Sequence, residues 1–182
     1  ERQMPGLTVD RRVVVTSREA LDLREVPSSV VIVGGGAISA EFSYIYRTYG
    51  AEVTIIELMP RLIPNEDEEI SALLERSFRK QGIKSVTGVR VDEIAVQDNH
   101  AKVSVSNDTE SSVIDCDKVL MAVGVQGNVE NIGLEEVGVV TERGFIVIDE
   151  RMCTNVPGVY AVGDVTGKMA LAHVASAQGV TA

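Results

Sequence analysis

The chain has 182 residues and a mass of 19.5 kDa, which suits one domain or slightly more with a core of its own. A hydrophobic share of 45% beside 24% charged residues excludes a disordered polymer. Lys and Arg number 17 against 27 Asp and Glu, and the net charge of −10 argues against nucleic acid and anionic membranes as partners, as does the lack of any apolar run of about 18 residues.

Met4-Pro5-Gly6 predicts a turn and Arg12 to Thr16 a short strand. Ser17 is placed to cap a turn of helix over Arg18 to Leu23, and Pro27-Ser28-Ser29 breaks the chain. Residues 1–28 therefore read as a tail carried in from a preceding domain rather than a core element. Ser29 to Val33 is the pattern of a strand buried on both faces of a parallel sheet, ended by Gly34-Gly35-Gly36. A helix is expected over Ala37 to Tyr49, with Gly50 as its stop, and a second strand over Glu52 to Glu57. Pro60 and Pro64 mark a loop. Asn65 is the expected cap of a helix over Glu66 to Gln81, whose acids at the start and bases at the end suit the helix dipole.

Beyond Gly82 the texture changes. Val86 to Val96, Lys102 to Ser106 and Ser112 to Asp115 alternate between polar and apolar, with turns at Asp98-Asn99-His100 and Asp108-Thr109-Glu110. This predicts an antiparallel meander. Lys118 to Val123 is another buried strand, ending in Gly124. Residues 125–143 read as loop, with a short turn near Gly133 to Glu136. Phe145 to Asp149 and Val159 to Val162 read as strands, and Leu171 to Gln178 as a helix. The fold class expected is α/β: a Rossmann-like domain whose parallel sheet is interrupted by a three-stranded antiparallel β-meander crossover.

The sharpest chemical signal is the strand, glycine turn, helix and strand ending in Glu57. Gly34 and Gly36 fit the dinucleotide fingerprint G-x-G-x-x-G/A, with Ser39 at the third glycine position. Gly34 allows the tight turn. Gly36 lets the backbone approach a pyrophosphate, at which the helix from Ala37 points its free N–H groups. Glu57 lies about 20 positions after Gly36, where a carboxylate accepts the ribose hydroxyls of NAD and repels the 2′-phosphate of NADP. The nearest base, Arg61, stands beyond Pro60. Glu41, one turn into the helix, reads either as a surface acid or as facing the nicotinamide end. Gly124 ends a strand where a sheet of this type binds its ligand, and Val91 reads equally as core packing or as a cofactor contact. Thr154 to Asp164 predicts a strand ending in a glycine and a carboxylate, which is either a turn Asp or an acceptor for sugar-type hydroxyls.

These pieces together resemble the middle of a flavin-dependent pyridine nucleotide-disulfide oxidoreductase, most closely the dihydrolipoamide dehydrogenase branch. The matching stretches are SSVVIVGGGAISAEF, AEVTIIEL, KVLMAVG, and TNVPGVYAVGD with MALAHVASAQG. The resemblance implies that Gly34, Gly35, Gly36, Ala37, Ile38, Ser39, Ala40 and Glu41 hold the pyrophosphate and nicotinamide side of NAD. It puts Glu57 at the adenosine ribose and Val91 and Gly124 against NAD. Asp164 would bind the ribityl chain of FAD, with Ala170, Leu171, Ala172 and His173 near the flavin ring. Residues 29–144 would form the NAD-binding domain, 1–28 the tail of an FAD-binding domain, and 145–182 its returning segment.

The implied reaction is electron transfer between NAD and a dithiol through FAD and a redox disulfide. The resemblance implies a homodimeric parent, with a 2-oxoacid dehydrogenase complex as its expected assembly, in the cytoplasm or an organelle matrix. The acidic N-terminus does not read as a signal peptide. Cys116 and Cys153 form no CxxC pair and, with only His100 and His173, offer no metal-ligand spacing. They point to a reduced compartment. The family's FAD glycine motif, paired redox cysteines and C-terminal His-Glu pair are not among these residues. The expectation is a fragment of a larger enzyme with no catalytic residue of its own. Val125-Gln126-Gly127-Asn128 departs from the basic residue and proline many relatives carry. Other members, such as a mercuric reductase or soluble transhydrogenase, are the alternatives, as is a non-catalytic NAD(H)-binding module. A glutathione-reductase-like NADP enzyme is disfavoured by Glu57.

Overall fold

The computed structural model describes residues 7–182. The turn expected at Met4-Pro5-Gly6 lies outside them. The chain divides into two compact units at Gly124 and Val125.

In the first unit the order is β1 (Val14–Thr16), α1 (Ser17–Leu21), β2 (Ser29–Val33), α2 (Ala37–Thr48), β3 (Glu52–Glu57), α3 (Glu68–Gln81), β4 (Lys84–Thr87), β5 (Arg90–Gln97), β6 (His100–Ser106), β7 (Ser111–Cys116) and β8 (Lys118–Met121). Five strands make a parallel sheet in the order β1-β8-β2-β3-β4, and β5-β6-β7 make a separate antiparallel sheet. Within β2, Val30 and Ile32 face one side and Val31 and Val33 the other, so both faces need a cover. Ile32, Ile55 and Leu120 pack with Phe42 and Tyr46 of α2 and Phe78 of α3. On the opposite face Val31, Ile56 and Val119 pack with Val103, Val105 and Cys116 of the meander. Each such aliphatic side chain removed from water contributes about 1.5–3 kcal/mol. The antiparallel sheet thus does the work a second layer of helices does in other α/β folds.

Several expectations are corrected. The segment read as a tail supplies β1, with Val13, Val14 and Val15 at most 1% exposed, because β8 offers it a free edge. Helix α1 begins at Ser17, not Arg18. The carboxylate of Glu19 accepts from the N–H of Thr16 at 3.0 Å and from its hydroxyl, so Thr16, not Ser17, stands at the cap. These bonds hold the Glu19 carboxyl below its ordinary range. Helix α3 is capped by Asp67, whose side chain accepts from Glu69 N at 2.8 Å, and not by Asn65. Residues 63–66 are already committed to a turn, with Glu66 N donating to Ile63 O. The run from Val86 splits into β4, which joins the parallel sheet, and β5, which starts the meander; Gly88 at φ +70° lies between them.

The second unit holds α4 (Leu134–Val137), β9 (Thr141–Glu142), β10 (Phe145–Ile146), a 3-10 turn at Gly163–Thr166 and α5 (Ala172–Thr181) around Val129, Val139, Ile146, Ile148 and Ala161. The strand expected to Asp149 stops at Ile146; the Asp149 carboxylate takes the N–H groups of Arg151 and Cys153 into a turn. Val159 to Val162 forms no strand beyond one bridge between Cys153 and Tyr160, because its backbone pairs with the adjoining turn of Met152 to Val156. Among the described residues no helix is long and apolar enough to cross a membrane.

Candidate functional site

A cleft of about 620 Å³ opens at the carboxyl end of the parallel sheet in the first unit. The glycine turn after β2, the end of β3, the loop 58–66, the start of β5 and the end of β8 form its walls. This is the edge at which open α/β sheets bind ligands. Of the residues singled out from the sequence, Gly34, Gly35, Gly36, Glu57, Val91 and Gly124 all line it. They come from four separate stretches of chain, and only the fold brings them together.

The glycines differ in what requires them. Gly34 has φ +104°, and a Cβ there would stand 2.4 Å from the carbonyl oxygen of Ala122. That position serves the close approach of β2 to β8. Gly36 has φ −80° and nothing within 4 Å of where its Cβ would be. Gly36 lines the cleft, and a side chain there would start in open space rather than against packed atoms. Gly36 is also the N-cap of α2, with no side chain capping it, so the first N–H groups of a 12-residue helix are left for a ligand.

Glu57 is half-buried at the end of β3, and both of its oxygens are engaged. Oε2 accepts from Gly35 N at 2.5 Å and Oε1 from Met59 N at 2.7 Å. Each carboxylate oxygen keeps a further lone pair for a ligand hydroxyl. The Arg61 guanidinium is engaged by its own loop, donating to the carbonyls of Pro64 and Glu66 at 3.1 and 3.3 Å.

Residues 37–41 lie outside the cleft walls. Ile38 and Ala40 pack toward the helix-side core and Ser39 is 0% exposed, so only their backbone can serve the ligand. Full burial fits Ser39's place at the tight helix–strand contact, but its hydroxyl, like that of Ser43, has no hydrogen-bond partner. Glu41 is exposed. Val91 packs against the meander-side core and also lines the cleft. A register shift between Val91 and Glu93 bends β5 at this point.

Sequence reasoning missed Pro64, Asn65, Arg90 and Ala122 as wall residues. Asn65 drew a helix-cap reading instead. Arg90 carried a signal that was overlooked, namely a base just after the glycine that leaves β4. Val89 N donates to Glu57 O at 3.2 Å and Gly88 N to Met59 O at 2.9 Å, which sets Arg90 beside the end of β3. Its Nε donates to Asp92 at 2.7 Å.

Asp164, Ala170, Leu171, Ala172 and His173 are all exposed in the second unit. The turn that holds Asp164 is braced on α5, since Gly163 N donates to Gln178 Oε1 at 2.6 Å. That bond ties the turn carrying Asp164 to the helix that begins at Ala172. Both cysteines are free thiols. Burial pushes the Cys116 thiol up to about 11, and likewise the Tyr46 hydroxyl up to about 12.

The family model for pyridine nucleotide-disulphide oxidoreductases matches residues 3–179. A dihydrolipoyl dehydrogenase of Mycobacterium leprae is 48% identical over 182 residues, 100% of this chain and 39% of that protein. One from Chlorobaculum tepidum is 46% identical over the same span, again 39% of its length. Among solved structures, LpdA of Mycobacterium tuberculosis superposes with a TM-score of 0.88 at 30% identity, covering 100% of this chain and 39% of that one. The HOCl-induced flavoprotein disulfide reductase RclA of Escherichia coli gives 0.79 at 29% identity over 97% of this chain and 38% of its own. The chain spans about two fifths of the length of the relatives it matches.

Proposed function

The chain belongs to the pyridine nucleotide-disulphide oxidoreductase family, and on that premise we propose that its cleft binds NAD(H) as the dinucleotide-binding part of a dihydrolipoyl-dehydrogenase-like flavoprotein. The observation that carries the reading is the convergence of Gly34 to Gly36, Glu57, Val91 and Gly124 on one cleft. The open space at Gly36 and the uncapped start of α2 fit a pyrophosphate. Backbone N–H groups from Ala37 onward would hold its oxygens. Glu57 would accept the adenosine ribose hydroxyls, and Val91 would pack against the adenosine half. Gly124 would flank the nicotinamide half, where Glu41 would serve if it has a ligand role.

NAD would supply a hydride acceptor. The work of these residues is binding and orientation, which turns a bimolecular encounter into a positioned one. Preference for NAD over NADP would rest on Glu57, whose carboxylate repels a 2′-phosphate. In the second unit Asp164 would hold ribityl hydroxyls of FAD, with Ala170 to His173 beside the flavin. Residues 29–144 would be the NAD-binding part and 145–182 the returning FAD segment. The reaction of the whole protein would be oxidation of dihydrolipoamide with reduction of NAD, through FAD and a disulfide borne elsewhere in the polypeptide. A homodimer, membership of a 2-oxoacid dehydrogenase complex, and a cytoplasmic or organelle-matrix location belong to the same proposal. Calorimetric titration of the chain with NADH and with NADPH tests it. Binding that prefers NADH is expected. Preference for NADPH would overturn the role of Glu57, and binding of neither would overturn the cleft's assignment.

A further inference from the structure

We propose that Ser71 and Glu75 of α3 are positioning residues for the glycine turn, acting through the backbone of Leu62 and Ile63; the proposal rests on the dinucleotide reading of the cleft. The peptide groups of Gly35 are gripped from two sides. Its N–H is held by Glu57, and its carbonyl oxygen accepts from Ile63 N at 2.6 Å. Glu57 ends a sheet strand and needs no further support. Ile63 lies in an irregular loop and has φ +41°, a conformation that a β-branched residue adopts only when its surroundings impose it.

Those surroundings are supplied by α3. The side chain of Leu62 is 1% exposed. Its N–H donates to Glu75 Oε1 at 3.0 Å, and its carbonyl accepts from the Ser71 hydroxyl at 2.5 Å. Ser71 and Glu75 are four residues apart and so share one face of the helix. Both peptide groups flanking Leu62 are thereby pinned to a rigid element, and the next N–H along the chain fixes Gly35. The same loop contributes Pro64 and Asn65 to the cleft wall. A run of hydrogen bonds thus leads from α3 to the turn that would carry the pyrophosphate. Neither Ser71 nor Glu75 lines the cleft, so neither is a catalytic residue.

The test compares Glu75→Leu, which keeps bulk but removes the acceptor, with Glu75→Gln, which retains an acceptor oxygen, and adds Ser71→Ala in case the leucine variant does not fold. Two readouts are taken on the full chain: amide hydrogen exchange at Ile63 and Gly35 without ligand, and the dissociation constant for NADH. Glu75→Leu and Ser71→Ala are expected to speed exchange at Ile63 and raise the dissociation constant about 5- to 10-fold, the scale of one lost buried hydrogen bond. Glu75→Gln is expected to stay within about twofold on the same scale. Unchanged exchange in Glu75→Leu and Ser71→Ala would overturn the brace itself. Faster exchange with unchanged NADH affinity would overturn the positioning role. Absence of NADH binding by the unaltered chain would instead overturn the dinucleotide reading, while the exchange data still judge the brace.

Discussion

Alanine at Gly34 and alanine at Gly36 add the same methyl group two residues apart, with opposite expected results. At Gly34 the new Cβ meets the Ala122 carbonyl oxygen at 2.4 Å, and the φ of +104° is unsuited to any L side chain. The backbone conformation costs about 1–2 kcal/mol, and the forced shift of β8 adds about 1–3 kcal/mol. A total of roughly 2–5 kcal/mol lowers the melting temperature of a chain this size by roughly 4–20 °C. At Gly36 the φ is −80° and the methyl group has open space. Reduced freedom of the unfolded chain gains about 0.4–1 kcal/mol, and alanine at an N-cap loses about as much. The melting temperature should therefore move by no more than about 2 °C. Gly36 lines the cleft at the proposed pyrophosphate position, so on that reading the added methyl group should lower NADH affinity at least tenfold, about 1.4 kcal/mol. Differential scanning fluorimetry and calorimetric titration of both variants give the answer. A Gly36→Ala protein that melts as low as Gly34→Ala, or that binds NADH like the parent, would refute the division of labour between the two glycines.

Glu57→Ala should weaken NADH binding by about tenfold or more, the scale of lost charge-assisted hydrogen bonds, and Glu57→Arg should narrow or reverse the preference over NADPH. Unchanged affinities in both titrations would place the ribose elsewhere. Ser39→Ala removes a buried hydroxyl without a partner, so chemical denaturation should show it neutral to about 1 kcal/mol more stable than the parent. Burial raises the Cys116 thiol from an ordinary value of 9.0 to about 11, so the folded state is favoured fully below the first value and progressively loses that advantage as pH rises to the second. A loss of about 2 kcal/mol between pH 9 and 11 that is absent from Cys116→Ala is expected in urea titrations; equal slopes in the two proteins would contradict it.

The parallel strands were legible because double-sided burial leaves an uninterrupted apolar signature. Ser29–Val33 and Glu52–Glu57 have the bounds their composition implies. The glycine turn and Glu57 were legible because their spacing matches the dinucleotide fingerprint. β1 was legible as a short strand but not as a member of the core sheet, because three valines beside a proline-bounded segment look alike whether or not a distant strand pairs with them. Its partner, β8, lies about a hundred positions along the chain. Arg90 and the loop 58–66 were missed for a related reason. Their roles arise from main-chain hydrogen bonds, such as Val89 to Glu57 and Ile63 to Gly35, which leave no side-chain pattern. The 159–162 segment shows the reverse error: a strong β-branched run predicts a strand, yet in this structure it finds only a single bridge.

The position of β8 has a kinetic consequence. It sits between β1 and β2, so both of those strands wait for residues 118–121 before their inner edges are paired. The β2-β3-β4 ribbon can form early from neighbouring sequence, whereas closure of the sheet must bridge the whole meander. Until then β2, apolar at four of its five positions, offers an unpaired backbone edge to other chains. Dilution and low temperature during refolding should therefore raise the yield of this protein more than any change that stabilises its finished core.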